Sequence, residues 1–303
     1  MKKMRFAALG WLAACAAVSA WGESVRVATL NLANYLVTDR LVEGVYRTTY
    51  PKPESQKALL RRLLQSVAPD VIALQEIGPE PFLIELQRDL AREGSAYPFR
   101  AWMQGADTER HLAVLSRIPI EEIIIHDDVR FSYFGESTPV RRGMLQVIFE
   151  GEVGRWALCN LHLKSRWTVR VDDPQSIEQR VGEAQALRDR IRQQLETEPH
   201  ALILVAGDFN DTTASRTLAR FTEVNRRPLL EMIPVADSRG EAWTHRYARE
   251  DLYSRSDYFL CSPALLPRVS EGRGTIADAP EWMEASDHRL LWLDLDLSVQ
   301  ELP

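Results

Sequence analysis

Residues 201–210 read Ala201-Leu202-Ile203-Leu204-Val205-Ala206-Gly207-Asp208-Phe209-Asn210. An unbroken apolar run closed by a turn-forming Gly-Asp-x-Asn predicts a strand buried on both faces, with an acid and an amide at its end. The same construction recurs at Thr29-Leu30-Asn31, at Ala73-Leu74-Gln75-Glu76 and at Leu158-Cys159-Asn160-Leu161-His162. Near the C-terminus Ser286-Asp287-His288 directly precedes another apolar strand. Strand ends are where a rigid scaffold presents chemistry to solvent. Singly, each motif has an ordinary reading: a side-chain-bonded turn, a helix cap or a solvated acid. The case for a site rests on all of them together.

Between these motifs the pattern alternates. Residues 25–33 read as a strand, and 54–67 as an amphipathic helix through Leu59, Leu60, Leu63 and Leu64, ended by Pro69. A buried strand at 70–74 and a helix at 81–92 follow. Strand-like stretches occupy 111–116, 120–126, 144–149 and 156–163. Residues 177–195 form a long helix expected to carry its acids and arginines on the outer face. Shorter strands follow around Trp243, at 257–261 and at 289–297. No repeat, linker or low-complexity run divides the chain after residue 24, so 25–298 reads as one mixed α/β domain. Its size exceeds what one core usually supports, which two packed sheets flanked by helices would resolve.

The chain has 303 residues, 45% hydrophobic and 26% charged, with 15 Gly and 16 Pro, which excludes a collagen-like or broadly disordered protein. Three cysteines are too few for a disulfide scaffold and too scattered for a Cys-rich zinc site. The net charge of -6 argues against coating nucleic acid by bulk positive charge. Met1-Lys2-Lys3-Met4-Arg5 opens a basic start, and residues 6–18 are small and apolar. That run is shorter than the roughly 20 apolar residues that span a bilayer. Residues 1–20 read as a secretory signal, with Val18-Ser19-Ala20 as its cleavage site. Leu12-Ala13-Ala14-Cys15 also fits a lipobox, so export is expected to be periplasmic or secreted, with or without a lipid anchor on Cys15. Removal of residues 1–20 takes away three positive charges and moves the net charge from -6 to -9. Strand parity puts Cys159 and Cys261 on diverging faces, so two buried free thiols are expected.

The chemistry lies in the donor types. Asn31, Glu76, Asp208, Asn210 and Asp287 offer oxygen, which suits Mg²⁺, with Mn²⁺ or Ca²⁺ as alternatives, and suits zinc poorly. Two histidines accompany them, at a pKa suited to proton transfer. These are the parts of metal-assisted phosphoester hydrolysis.

Thr29-Leu30-Asn31, Leu74-Gln75-Glu76, Arg142, Asn160-Leu161-His162, Gly207-Asp208-Phe209-Asn210, Ser256-Asp257-Tyr258 and Ser286-Asp287-His288 together resemble the motifs of the endonuclease/exonuclease/phosphatase (DNase I-like) superfamily, in its order. Within it, Asn160 to Ser165 and Gly207 to Asp211 resemble bacterial secreted nucleases most. The resemblance implies a four-layer α/β sandwich of two packed mixed sheets flanked by helices. It implies that Glu76, with Asn31 and Asp287, holds the metal; that Asp208 orients or deprotonates the attacking water; and that Asn210 positions water and phosphate. It implies that His288, paired with Asp257, contacts the phosphate and moves a proton. In the DNase I-like branch His162 would be a second histidine backed by Glu109, and Arg142 would bind the scissile phosphate.

His111, His126, His200 and His245 match no motif and read as structural. Lys164, Arg166, Trp167 and Arg170 make a basic stretch with an aromatic, as a backbone contact or as a solvated loop. The leading expectation is an exported metal-dependent phosphodiesterase, an endonuclease on DNA or RNA, acting as a monomer without an obligate protein partner. A sphingomyelinase- or inositol-phosphate-type activity is the first alternative, and a catalytically inactive binding module the second.

Overall fold

The computed structural model describes residues 2–5, 24–279 and 281–298. Two seven-stranded sheets carry the chain. From edge to edge the first holds Val235–Ala236, Gly274–Ile276, Leu291–Asp296, Ser24–Tyr35, Val71–Ile77, His111–Ser116 and Phe99–Met103. The second holds Lys2–Arg5, Glu122–His126, Met144–Gly151, Gly154–His162, Leu202–Asp208, Asp257–Cys261 and Glu231–Met232. Both sheets are mixed. Ser24–Tyr35 runs parallel to Val71–Ile77 and antiparallel to Leu291–Asp296. Gly154–His162 runs parallel to Leu202–Asp208, which pairs antiparallel with Asp257–Cys261.

Side-chain parity builds the layers. Val27, Val71 and Ala73 from the first sheet meet Leu145, Val147, Leu158, Leu204 and Phe259 from the second in the central core. On the outer face of the first sheet, Ala28, Leu30, Ile72 and Leu74 pack under α1 (Glu54–Val67), α2 (Glu80–Arg92) and α5 (Trp282–Ala285). On the outer face of the second, Ile148, Cys159, Ile203, Val205 and Leu260 pack under α3 (Ile177–Thr197) and α4 (Arg216–Thr222). The product is the helix–sheet–sheet–helix sandwich expected from the sequence. Strands buried on both faces explain their near-continuous apolar runs.

Helix α1 keeps its expected bounds and ends at Ala68, whose left-handed backbone returns its N–H to the Leu64 carbonyl. Helix α3 differs from expectation. Arg180, Glu183 and Arg188 are buried rather than turned outward: the loops around the site supply Arg180 and Glu183 with backbone partners, and the Arg220 carbonyl of α4 accepts from Arg188 at 3.2 Å. Cys159 and Cys261 are free and buried on opposite faces of the second sheet, as parity required. Burial pushes both thiols up to about 12. Lys2–Arg5 pairs as the edge strand along Glu122–His126, while Cys15 and residues 18–20, the expected lipobox and cleavage positions, lie outside the described residues. No helix among the described residues is long and apolar enough to cross a membrane.

Gly207 is the tightest point of the second sheet. Its φ is +140°, and a Cβ there would stand 2.0 Å from the Leu161 carbonyl oxygen on the neighbouring strand. Gly207→Ala is therefore expected to destabilise the fold by about 3 kcal/mol, read as a lowered urea midpoint with an unchanged slope. A loss under about 1 kcal/mol would mean the strands part there without strain.

Candidate active site

The inner faces of both sheets change from apolar to polar at one level. Thr29 and Asn31 follow Val27, Gln75 follows Ala73, Asn160 and His162 follow Leu158, and Asp208 follows Ala206. Alternation alone would aim Glu76 away from this face. Instead the strand pairings slip between Asn31 and Tyr35 and between Leu74 and Ile77, and Glu76 takes φ +58°. The irregularity re-aims its side chain, as a bulge at a strand end does. Glu76 Oε2 accepts from the Asn34 N–H at 2.9 Å, and Oε1 lies 3.9 Å from His162 Nε2.

Asp208 is the hub. Its Oδ2 accepts from Asn31 Nδ2 at 3.1 Å and from Asn210 Nδ2 at 3.0 Å. Its Oδ1 accepts from the Asn210 N–H at 2.8 Å. His162 Nε2 stands 3.4 Å from the same Oδ2, and His288 Nε2 stands 3.8 Å from it. On its far side His288 Nδ1 lies 2.9 Å from Asp257 Oδ2. Asp257 is held in turn by the hydroxyls of Thr244 at 2.7 Å and Ser256 at 3.0 Å. A carboxylate so placed fixes the imidazole tautomer and supports its cation.

Electrostatics separates the two histidines. Burial lowers both, but at His288 the charges of Asp257 and Asp208 and the bond to Asp257 outweigh it and hold the ring well above the usual imidazole range. His162 lies well below that range through burial, reinforced by Arg142 and His288. Burial holds the Asp208 carboxyl above the ordinary carboxylate range, with Asp257 and Glu76 adding to it and His288 opposing.

Asn31, Glu76, His162, Asp208, Asn210, Asp257 and His288 thus come together. Asp287 stands on the other side of His288, with Oδ2 3.9 Å from His245 Nε2 and its side chain 55% exposed. Arg142 is buried beside Asp107, Nε to Oδ2 3.1 Å. Glu109 is not behind His162. Its carboxylate is largely exposed and pairs with Arg110 at 3.0 Å, while His162 Nδ1 has no hydrogen-bond partner among the described residues. The acid that turns inward at that loop is Asp107, two residues earlier, because the Glu109 and Arg110 N–H groups cap its Oδ1.

Several residues around the site escaped the sequence. His245 packs against His288, ring centroids 4.6 Å apart and planes tilted by 45°. Lys52 is buried between Pro51 and Pro53, donates to the Ala33 carbonyl at 2.9 Å, and is pushed down to about 8 chiefly by burial, with Asp287 and Glu76 opposing. Its flanking prolines were the available signal. Glu183 and Arg180 of α3 hold the surrounding loops. Glu183 accepts from the Arg141 N–H at 3.1 Å and the Lys164 N–H at 2.8 Å, and Arg180 donates to the Lys164 carbonyl and to Asp211.

The donor set fits a hard divalent cation. Glu76 Oε1, the Asp208 carboxylate and the Asn31 and Asn210 amides are oxygen-bearing groups at one strand level, and Asp208, Asp257 and His288 present ligand atoms within 4.8 Å of one another.

Two packed mixed sheets with this site at one end define the DNase I-like α/β sandwich class. Residues 28–288 match the model of the Endonuclease/Exonuclease/phosphatase family, and the chain belongs to that family, whose members are usually phosphoester hydrolases. No curated protein sequence matches it. Among solved structures it is similar to the catalytic domain of human nocturnin with bound sulfate, at 16% identity and TM-score 0.63 over 91% of this chain and 95% of that one. Sphingomyelinase C from Streptomyces griseocarneus aligns at 17% identity and TM-score 0.60 over 90% and 99%. Truncated Caenorhabditis elegans TDP2 aligns at 15% identity and TM-score 0.58 over 90% and 97%. At these identities the likeness is one of fold.

A folded pKa above the unfolded one contributes stability fully below about pH 6.5 and loses it as pH rises through the folded value. In metal-free protein, ring NMR is expected to place His288 above that value, and Asp257→Asn to bring it down. The variant should lose more urea stability at acid than at alkaline pH. A wild-type His288 titrating at or below 6.5 would remove the Asp257 pairing from the account.

Proposed function

We propose that this chain is an exported, divalent-metal-dependent phosphodiesterase acting on nucleic acid. The observation that carries the chemistry is the single buried carboxylate of Asp208 facing both imidazoles, at 3.4 and 3.8 Å. Glu76 and Asn31 would hold the cation, which when bound supplies Lewis-acid neutralisation of phosphate charge, while Asp287, on the other side of His288, is not placed with them. Asp208, steadied by the Asn210 side chain and backbone, orients water for in-line attack and accepts its proton. His288 carries a proton on Nε2 while Nδ1 faces Asp257, so it serves as the acid toward the leaving oxygen. His162, held neutral, is free to accept or donate at Nε2. Arg142 would meet the phosphate charge with its planar fork.

Nucleic acid is favoured by the basic, aromatic strip beside the site. Arg166, Trp167 and Arg170 follow Lys164, and the Trp167 side chain is 72% exposed, as backbone contact and base stacking require. One observation favours a lipid phosphodiester instead. Val169 and Val171, in the same loop, are 80% and 96% exposed. Export rests on residues 1–20.

In a plasmid-nicking assay the wild type is expected to nick with Mg²⁺ and to stop with EDTA. Glu76→Ala should cost at least about 10³-fold through loss of the metal, and His288→Ala about 10²–10⁴-fold. Nicking that survives Glu76→Ala would sink the metal assignment. Absence of nicking alongside hydrolysis of sphingomyelin would transfer the site to lipid. Mass spectrometry of the chain recovered outside the cytoplasm should give a product starting at Trp21 or at a lipidated Cys15, and recovery of residues 1–20 intact would argue against export.

A further inference from the structure

Among the described residues the Glu76 carboxylate is fixed by one hydrogen bond, from the Asn34 N–H at 2.9 Å. That N–H belongs to a turn with a costly backbone, since Ala33 and Asn34 have φ of +48° and +59°. The aim of Glu76 is therefore only as firm as this turn. Within the turn the Ala33 N–H donates to Asn31 Oδ1 at 3.0 Å and the Leu36 N–H to the Asn34 carbonyl at 2.8 Å. Its carbonyls are also held from outside, by two cations. Arg40 Nη2 donates to the carbonyls of Asn34 and Leu36 at 3.0 and 2.8 Å, and its Nε to the Tyr50 carbonyl at 3.1 Å. Lys52 donates its N–H to the Leu36 carbonyl at 3.2 Å and its Nζ to the Ala33 carbonyl at 2.9 Å.

Lys52 is the unusual one of the pair. It is 3% exposed, and its ammonium makes no ion pair among the described residues. Burying a lysine against a single carbonyl is costly where methionine would pack freely, so packing does not account for it. Its backbone is confined from both sides. Pro51 ends the strand before it, and Pro53 caps α1 and keeps Lys52 extended. Glu76 and Asp287 favour its charge, while Arg40 and Lys57 oppose it.

We propose that Lys52 is a positioning residue for Glu76: its ammonium pins the Ala33 carbonyl, this holds the left-handed turn, and the Asn34 N–H in that turn aims the carboxylate at the cation. The inference rests on the metal-dependent reading of the site. It also gives a role to the hairpin Val37–Val42 with Val45–Pro51, which buries no face of its own and carries Arg40 and Lys52 to the turn.

The direction of the effect separates this role from a bystander charge. A lysine that is merely nearby repels a divalent cation, so its removal would tighten metal binding. A lysine that anchors Glu76 does the opposite, because groups that orient a metal ligand are typically worth about 10–100-fold in affinity.

The test is a Mn²⁺ titration of the full-length protein, with the free ion read by electron paramagnetic resonance and Glu76→Ala marking the site by difference. Lys52→Met should weaken that site about tenfold while still unfolding in one cooperative urea transition. Lys52→Arg, which keeps a donor for the Ala33 carbonyl, should restore part of the affinity. In metal-free protein the Asn34 amide should be protected from hydrogen exchange, and Lys52→Met should speed its exchange about tenfold. Should Lys52→Met not fold, Lys52→Gln, neutral and one atom shorter, repeats the comparison and should also bind more weakly than wild type. Unchanged or tighter Mn²⁺ binding in the neutral variant overturns the proposal. So does an unprotected Asn34 amide in the wild type, or weaker binding with exchange at Asn34 unchanged, because the turn is then not the route. If Glu76→Ala itself alters no Mn²⁺ binding, the metal reading falls and this inference with it. Binding that needs Glu76 and ignores Lys52 ends this inference alone.

Discussion

The hydrogen bond from Gln75 to Asn160, 2.7 Å long and fully buried, is the constraint on which the rest of the site depends. It crosses from one sheet to the other at the level where their apolar faces end. Gln75 also donates to Thr29 at 3.1 Å, and Asn160 donates to the carbonyls of Leu74 and Ala113, each at 2.9 Å. Apolar contact between two sheets is non-directional and tolerates sliding. A buried amide network does not, because a displaced partner leaves polar groups unpaired in a low dielectric. Asn31 and Glu76 stand on one sheet, and His162 and Asp208 on the other. Their mutual distances are therefore set by the seam directly beneath them.

Above the seam the backbone is unusual. Ala33, Asn34, Glu76 and Asn210 all have φ between +48° and +59°. For residues other than glycine this costs free energy and persists where the surroundings over-determine it. Here the surroundings are the Asn34-to-Glu76 bond and the Asn210-to-Asp208 bonds. Left-handed backbone at these positions, as at several turns elsewhere in the chain, leaves the carboxylates that would bind metal and water already aimed.

Much of this was legible in the sequence because it depends on local pattern. The polar ends of apolar strands disclosed the site residues, and helical spacing of leucines gave α1 its bounds. What escaped depends on partners far along the chain. Arg180 and Glu183 sit in a helix whose charges suggested a solvated face, yet they bond backbone groups of Lys164 and Arg141, which no periodicity encodes. His245 meets His288 because their segments form an antiparallel backbone bridge, with Arg246 N–H to the Asp287 carbonyl and Arg289 N–H to the Thr244 carbonyl. Glu109 and Asp107 differ by two residues, and the one that turns inward is the one whose carboxylate caps the Glu109 and Arg110 N–H groups and meets Arg142. The hairpin Val37–Val42 with Val45–Pro51 was hidden by its exposure, since a strand with no buried face shows no alternation.

Segments 255 residues apart in the sequence meet at the site. The Ser286 hydroxyl donates to the Asn31 carbonyl at 2.8 Å, and Leu291–Asp296 pairs beside Ser24–Tyr35. His288 therefore cannot take its place until residues up to Leu291–Asp296 have left the ribosome and that strand has joined the first sheet. No growing fragment can assemble the centre, and a chain cut short before residue 288 lacks it altogether. For a protein proposed to attack nucleic acid, this order of assembly is a safeguard for the cell that makes it: every nascent chain stays harmless to its own messenger until residue 288 and the strand after it have been made.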